Sequence, residues 1–183
     1  MLESLFRQAT RGRQGPVFLI VPEDLQHAHL PEPLSFMPRA EPVAPAMDPA
    51  AVRSAVNLLL EAKAPVVLAG TGVDWAGAHE ELCELAEWLS SPVAVSYTAK
   101  GVFPESHPLA LGCLGFGSRP YSRKFFQGAD LILALGATFS EGTTMRFGHE
   151  IIPANAKIVQ IDIDPDELGS NYPTALSIQA DAK

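Results

Sequence analysis

The sequence predicts an α/β protein with a parallel sheet and helices on both faces. Short apolar runs, such as Pro65–Ala69 and Leu131–Leu135, have the near-continuous hydrophobic composition of strands that are buried on both faces. Stretches between them carry apolar residues at helical spacing. Because strands alternate with helices, right-handed crossovers and a parallel sheet are expected.

The first 47 residues predict two further regions. Apolar residues at helical spacing open the chain, and the run Val17–Val21 predicts a strand buried on both faces. Six prolines then lie between positions 31 and 49, a density that forbids both helix and sheet. We therefore interpret residues 30–47 as a linker between an N-terminal region, 1–29, and the main domain, 48–183.

Asp48 followed by Pro49 predicts a helix start, and the apolar face after it extends to about Lys63. The remaining elements follow in alternation. They are a strand at 65–69, a helix that carries Leu82, Leu85, Ala86 and Leu89, a strand at 93–96, a Gly/Pro-rich loop at 100–118, a helix at 121–127, a strand at 131–135, an irregular stretch at 136–153, and strands at 158–163 and 177–179.

Composition excludes several classes of function. The chain has 13 basic and 21 acidic residues, a net charge of −8, and no basic cluster that could follow a phosphate backbone, so nucleic acid is not an expected partner. No apolar run approaches the roughly 20 residues that span a bilayer, and the charged first segment differs from a secretory signal. Cys83 and Cys113 have neither disulfide nor zinc spacing. We expect a cytoplasmic protein that binds no metal.

Ligands of open parallel sheets bind beyond the carboxyl ends of the strands, so the loops there are the candidate site. Gly70 and Gly72 could bring backbone N–H groups to a phosphate, or could serve only a tight turn. The dinucleotide fingerprint is incomplete, because Trp75 stands at the third glycine position.

The next loops offer charges and an open backbone. Lys100 could meet a phosphate, whereas Glu105 and His107 could equally cap a turn. Glycines at 112, 115 and 117 permit close approach by a flat ligand. Arg146 is a candidate phosphate ligand or an ordinary exposed arginine.

Two aspartates follow the strand at 158–163. Asp162 could accept hydrogen bonds from ribose hydroxyls, and Asp164 before Pro165 could also cap a helix. No catalytic motif is present, and the five histidines have no partner at a telling spacing. We therefore predict no catalytic residue in this chain.

Five segments together resemble the central domain of the thiamine-diphosphate-dependent enzymes of the acetohydroxyacid synthase, pyruvate oxidase and benzoylformate decarboxylase group. They are GPVFLIVPEDL, PVVLAGTGV, KGVFPESHPLALGCLG, ADLILALGATFS and IVQIDIDPDELGSNYP. Their order and spacing cover nearly the whole chain. The first of the five segments is similar to the final strand of the pyrimidine-binding domain that precedes the central domain, so the resemblance implies that residues 1–29 are the C-terminal remnant of that domain.

The resemblance implies a Rossmann-like domain from a 2-oxo-acid decarboxylase or carboligase, a lyase or transferase. Thiamine diphosphate and Mg²⁺ would be bound by pyrimidine- and diphosphate-binding domains that this chain lacks, and the assembled enzyme would be a homo-oligomer. FAD or ADP is implied as a ligand of the central domain, and a stand-alone nucleotide-binding module is the alternative. The residues implied for that ligand are Gly70, Gly72, Lys100, Gly101, Gly115, Phe116, Gly136, Asp162, Asp164 and Asp181.

Overall fold

The structure is a computed structural model that describes residues 2–29 and 46–183. It divides the chain into one unit within 1–44 and another within 45–183. Most of the predicted linker, 30–45, lies outside the described residues. No described helix is long and apolar enough to cross a membrane.

The first unit contains helices α1 (Leu2–Thr10) and α2 (Glu23–Gln26). The strand predicted at Val17–Val21 is wrong: the segment has no regular secondary structure, and the side chains of Phe18 and Ile20 are 86% and 76% exposed. Apolar composition alone does not make a strand, because its N–H and C=O groups need a neighbouring ladder. No strand among the described residues pairs with this segment.

The second unit is a six-stranded sheet in the order β3-β2-β1-β4-β5-β6, and every pair of neighbouring strands is parallel. This order places β1 and β4 at the centre, where the direction of winding reverses. The elements are α3 (Pro49–Glu61), β1 (Pro65–Ala69), α4 (Thr71–Ala76), α5 (His79–Leu89), β2 (Val93–Val95), β3 (Ala110–Cys113), α6 (Pro120–Gln127), β4 (Leu131–Leu135), α7 (Glu141–Thr144), β5 (Lys157–Asp162) and β6 (Leu176–Gln179). Short 3₁₀ turns occupy Tyr97–Ala99 and Pro165–Glu167.

Two apolar cores lie on opposite faces of the sheet. Val67 and Ala69 of β1 belong to one core with residues of α3, α4 and α5, whereas Val66 and Leu68 belong to the other with Phe126 of α6. The alternation follows from the period of two along a strand. The predicted parallel sheet with helices on both faces is therefore confirmed.

The secondary structure also confirms the start of α3, where the Asp48 carboxylate accepts the N–H of Ala50 at 2.9 Å. The predicted loop at 100–118, however, contains the edge strand β3. β3 has only four residues, with Gly112 among them, so it gives no periodic signal of its own. Its register is set by long-range pairing with β2, which shifts between Val93 and Ala94.

Candidate functional site

The candidate site lies at the carboxyl edge of the sheet. Because all six strands are parallel, the loops that follow them emerge at the same edge. The structure brings the ten predicted residues to the carboxyl ends of the strands and the segments that follow them, in the order β3, β2, β1, β4, β5 and β6 across the edge.

The centre of this edge is a close contact between two backbones, which we call the central junction: Gly70 and Gly72 after β1, and Gly136 after β4. A Cβ at Gly70 would lie 1.9 Å from the Gly136 carbonyl oxygen, and one at Gly136 would lie 2.5 Å from the Gly72 Cα. Both distances are far shorter than a van der Waals contact. The atoms that the Cβ would meet belong to the backbone, which cannot easily move aside. Glycine is therefore required here by packing.

Hydrogen bonds close the central junction. The N–H of Gly70 donates to Leu135 at 2.8 Å, that of Gly72 to Gly136 at 3.1 Å, and that of Gly136 to Ile161 at 2.8 Å. A phosphate on a dinucleotide-type glycine turn needs such donors directed at the ligand. The Gly72 N–H is directed at the protein instead, so the turn does not fit that mode of phosphate binding.

The aspartates beyond β5 and β6 are engaged in local turns. Asp162 is 6% exposed, and its Oδ1 accepts the N–H of Asp164 at 3.0 Å. Asp164 accepts the N–H of Asp166 at 3.1 Å and so caps the following 3₁₀ turn. Asp181 accepts the N–H of Lys183 at 2.9 Å. Turn capping, one of the two roles considered for Asp164, is therefore present.

The loops after β2 and β3 form a more open region, which we call the aromatic shelf: Tyr97, Phe116 and Gly117. The side chain of Tyr97 is adjacent to Gly117, since a Cβ there would lie 3.8 Å from the Tyr97 ring. Tyr97 is 69% exposed and Phe116 is 57% exposed. The shelf thus presents apolar surface to solvent.

Lys100 and Gly101 lie in the same group of loops. The Lys100 ammonium is 3.3 Å from the Glu105 carboxylate, and both side chains are more than half exposed. Gly101 has a φ of +101° with open space where a Cβ would be. Gly101 is therefore selected by backbone conformation rather than by close approach.

Gly115 joins the loop after β3 to the loop after β4. A Cβ at this position would lie 1.9 Å from the Gly142 carbonyl oxygen, which also accepts the N–H of Phe116 at 3.1 Å. Two of the residues predicted for ligand binding, Gly115 and Phe116, thus have a structural role in holding these loops together.

Gln160 is a residue of this edge that the sequence did not reveal. It is 1% exposed, and its amide donates to the carbonyls of Ala137 and Glu167 and accepts the N–H of Gly169. Gln160 thus connects β5 to the loops that follow β4 and β5. Its only signal was one polar residue in an apolar strand, which does not show what the amide contacts.

Tyr172 is a second residue that sequence reasoning missed. Its hydroxyl donates to the Gly148 carbonyl at 3.0 Å, and its ring contacts Phe139 edge-on. Burial raises the pKa of the Tyr172 hydroxyl, with an opposing contribution from the Thr144 hydroxyl. The Tyr172 hydroxyl therefore stays protonated at neutral pH and can donate its hydrogen bond to Gly148.

Metal-binding side chains are not grouped within the described ranges, where no cluster of three or more His, Cys, Asp or Glu residues could hold an ion. Arg146 lies after α7, with its side chain exposed. The edge therefore offers exposed cations and apolar surface around a closed centre.

Comparison with known proteins identifies the family. Residues 52–183 match the family described as thiamine pyrophosphate enzyme, central domain. The chain is 38% identical to a probable acetolactate synthase large subunit from Methanocaldococcus jannaschii, over 97% of this chain and 31% of that protein. It is 41% identical to a sulfoacetaldehyde acetyltransferase from Roseovarius nubinhibens, over 73% of this chain and 22% of that protein.

Solved structures agree with the sequence comparison. A benzoylformate decarboxylase from Polynucleobacter necessarius superposes with a TM-score of 0.73 at 29% identity, covering 96% of this chain and 32% of the other. The chain therefore spans between 22% and 32% of the length of the relatives named above. It belongs to the family of thiamine pyrophosphate enzyme central domains.

Proposed function

We propose that this chain is the central scaffold of a thiamine-diphosphate-dependent enzyme that decarboxylates or ligates 2-oxo acids, in the manner of acetolactate synthase. The observation that carries the proposal is the alignment of 97% of the chain with an acetolactate synthase large subunit at 38% identity. The pyrimidine- and diphosphate-binding domains are its proposed partners, in a cytoplasmic homo-oligomer. The comparisons do not support the alternative of a stand-alone nucleotide-binding module.

The central junction supports a scaffold role. Its glycines are fixed by backbone contacts, and their N–H groups are used within the sheet edge. A domain that positions two neighbouring domains benefits from loops held this tightly, because small displacements at a site are costly to catalysis.

Thiamine diphosphate and Mg²⁺ belong, in this proposal, to the other domains of the enzyme. The described residues offer no cluster of acidic or histidine ligands for the ion, and Mg²⁺ requires near-octahedral oxygen coordination. No chemical step is therefore assigned to residues of this chain. We expect calorimetric titration of the chain with thiamine diphosphate and Mg²⁺ to give no micromolar binding, and a micromolar isotherm would contradict this assignment.

An adenine nucleotide, as ADP or the ADP part of FAD, is the one ligand proposed for this domain. Lys100 and Asp162 are the groups that we assign to it, since the Gly72 N–H is already bonded to Gly136. Binding would have to displace Glu105 from Lys100 and to share Asp162 with the Asp164 N–H. We therefore expect weak binding of ADP.

A chimeric enzyme tests the scaffold role. Residues 1–183 replace the matching segment of the M. jannaschii relative, and acetolactate formation from a 2-oxo acid is measured. We expect activity to be retained, because the alignment covers nearly the whole chain. A matched chimera with Gly70→Ala should lose activity because the central junction cannot close.

Folding of the chimera is checked by gel filtration and circular dichroism. A folded, thiamine-diphosphate-loaded chimera without any acetolactate formation would contradict the proposal. The isolated chain, assayed alongside, should form none.

A further inference from the structure

The segment after α7 has an unusual backbone. Met145, Arg146 and Phe147 have φ angles of +53°, +68° and +59°, all in the left-handed region. L-residues with a Cβ enter this region as single residues, because Cβ then crowds the following carbonyl oxygen. Three consecutive non-glycine residues in it mark a strained segment.

Four hydrogen bonds to three groups hold the segment. The N–H groups of Met145 and Arg146 donate to the Glu141 carbonyl. The N–H of Phe147 donates to the Thr144 hydroxyl at 3.1 Å, and the Tyr172 hydroxyl donates to the Gly148 carbonyl at 3.0 Å. Thr144 and Tyr172 are buried, so these two hydroxyls are fixed by the core.

Of the three strained side chains, only that of Met145 adds to this restraint, because it is half-buried and packs against the apolar core on its face of the sheet. Arg146 and Phe147 are exposed, and Phe147 retains 47% of its accessible surface. Strain of this kind persists only where surrounding structure enforces it. Besides the packing of Met145, the segment is therefore restrained by two buried hydroxyls, that of Thr144 within the turn and that of Tyr172 outside it.

A less strained conformation is available to the same residues. Helix α7 ends at Thr144, and Met, Arg and Phe are all compatible with a right-handed helix. In a continued helix the Arg146 N–H would donate to Gly142 instead of Glu141. The Gly142 carbonyl already accepts the N–H of Phe116 and has a second lone pair to offer.

We propose that residues 141–148 are a two-state turn, in which the hydroxyls of Thr144 and Tyr172 latch a left-handed form that otherwise rewinds into a longer α7. Rewinding moves Arg146, an exposed cation at the carboxyl edge, and Phe147 beside it. The turn thus controls where this guanidinium is presented, and a group that pairs with it in one form only would shift the equilibrium. The proposal does not depend on the identity of the parent enzyme.

Glycine substitution tests the strain. Arg146→Gly should raise the melting temperature of the chain by roughly 2–4 °C, because glycine adopts left-handed φ without penalty. Arg119→Gly is the matched control, since Arg119 is also exposed but has a φ of −76°; it should give no rise. A melting temperature for Arg146→Gly at or below that of Arg119→Gly would overturn the proposal.

Removal of the latch tests the second state. Tyr172→Phe keeps the ring and deletes the donor to Gly148, so the NMR ¹³Cα shifts of Met145–Phe147 should move toward helical values. Tyr97→Phe, at an exposed position on the aromatic shelf, should leave these shifts unchanged. Thr144→Val, compared with Thr144→Ser, provides a second latch variant, which removes the acceptor of the Phe147 N–H and keeps the Tyr172 hydroxyl. Unchanged shifts in a folded latch variant would overturn the proposal.

Discussion

The central junction and the aromatic shelf lie on the same edge of one sheet, yet glycine has a different role in each. At the central junction, backbone lies against backbone, so a single methyl group at Gly70 has no space. At the loop of Lys100, beside the shelf, Gly101 has open space around it and is selected by its positive φ. The comparison shows that a glycine-rich loop at a strand end can be a packing device, and is not in itself a ligand site.

The largest expected effect breaks the central junction. Gly70→Ala should destabilise the protein by about 3–5 kcal/mol, because the new Cβ overlaps the Gly136 carbonyl and neither backbone can move freely. The φ of Gly70 is −105°, so the loss would come from overlap alone. Urea unfolding followed by circular dichroism measures the change.

Gly101→Ala is the matched control for that variant. It should cost only about 1–2 kcal/mol, since the substituted residue meets no atom and is strained by its φ alone. Equal losses of unfolding free energy in Gly70→Ala and Gly101→Ala would show that backbone overlap at the central junction adds nothing to the cost of the new methyl group.

The fold was predictable from the sequence to the extent that it depends on local pattern. The runs at β1 and β4 are apolar on both faces and flanked by helical periodicity, so their pairing in a parallel sheet followed from composition. Val17–Val21 has the same composition but no strand, and β3 is a strand without the composition. Both outcomes depend on whether a neighbouring strand is present, which a local pattern does not encode.

The site was predictable in location but not in contacts. The positions of Gly70, Gly136 and Asp162 at strand ends followed from the alternation of elements. The hydrogen bond from the Gly72 N–H to the Gly136 carbonyl depends on the register between β1 and β4. The three hydrogen bonds of Gln160 depend likewise on the paths of two loops.

The second prediction concerns the loops beside the central junction. Gln160→Leu should destabilise the protein by about 2–4 kcal/mol, because it leaves the Gly169 N–H and the carbonyls of Ala137 and Glu167 without this partner. Gln179→Leu on the exposed edge strand should change stability by about 0.5 kcal/mol or less. Similar losses for both variants, measured by urea unfolding, would show that the Gln160 amide does not hold these loops.

The third prediction concerns the opposite end of β4, as a reference away from the carboxyl edge. Hydrogen bonds from the backbone N–H groups of Lys63 and Ala64, at 2.7 and 3.0 Å, lower the pKa of Asp130 from its ordinary value of 3.8. A lowered pKa stabilises the fold above that ordinary value, and the contribution is lost as the pH falls through the folded-state pKa.

Asp130→Asn should therefore lower the melting temperature at pH 7, because an amide offers one acceptor where the carboxylate offers two. The difference in melting temperature between the variant and the unmodified chain should shrink below pH 3.8, because the Asp130 carboxylate of the unmodified chain then becomes protonated. A difference that stays constant between pH 7 and pH 3 would contradict this origin for the stability. The effect should be smaller than that of Gly70→Ala, since Asp130 lies close to solvent.

The smallest expected effect concerns Lys100, in the loops beside the aromatic shelf. Its ion pair with Glu105 is exposed on both sides, with 67% and 57% of the side chains accessible, and such pairs contribute about 0–1 kcal/mol. Lys100→Ala should thus leave stability almost unchanged, in contrast to any substitution at the central junction.

The same variant reports on function, because Lys100 is the cation proposed to meet the phosphate of an adenine nucleotide. We expect Lys100→Ala to weaken the binding of ADP about tenfold. Lys124→Ala on α6 should leave the affinity for ADP unchanged. Equal ADP affinity in the two variants would remove Lys100 from the proposed site, and a large loss of stability in Lys100→Ala would show that this region is packed more tightly than its exposure indicates.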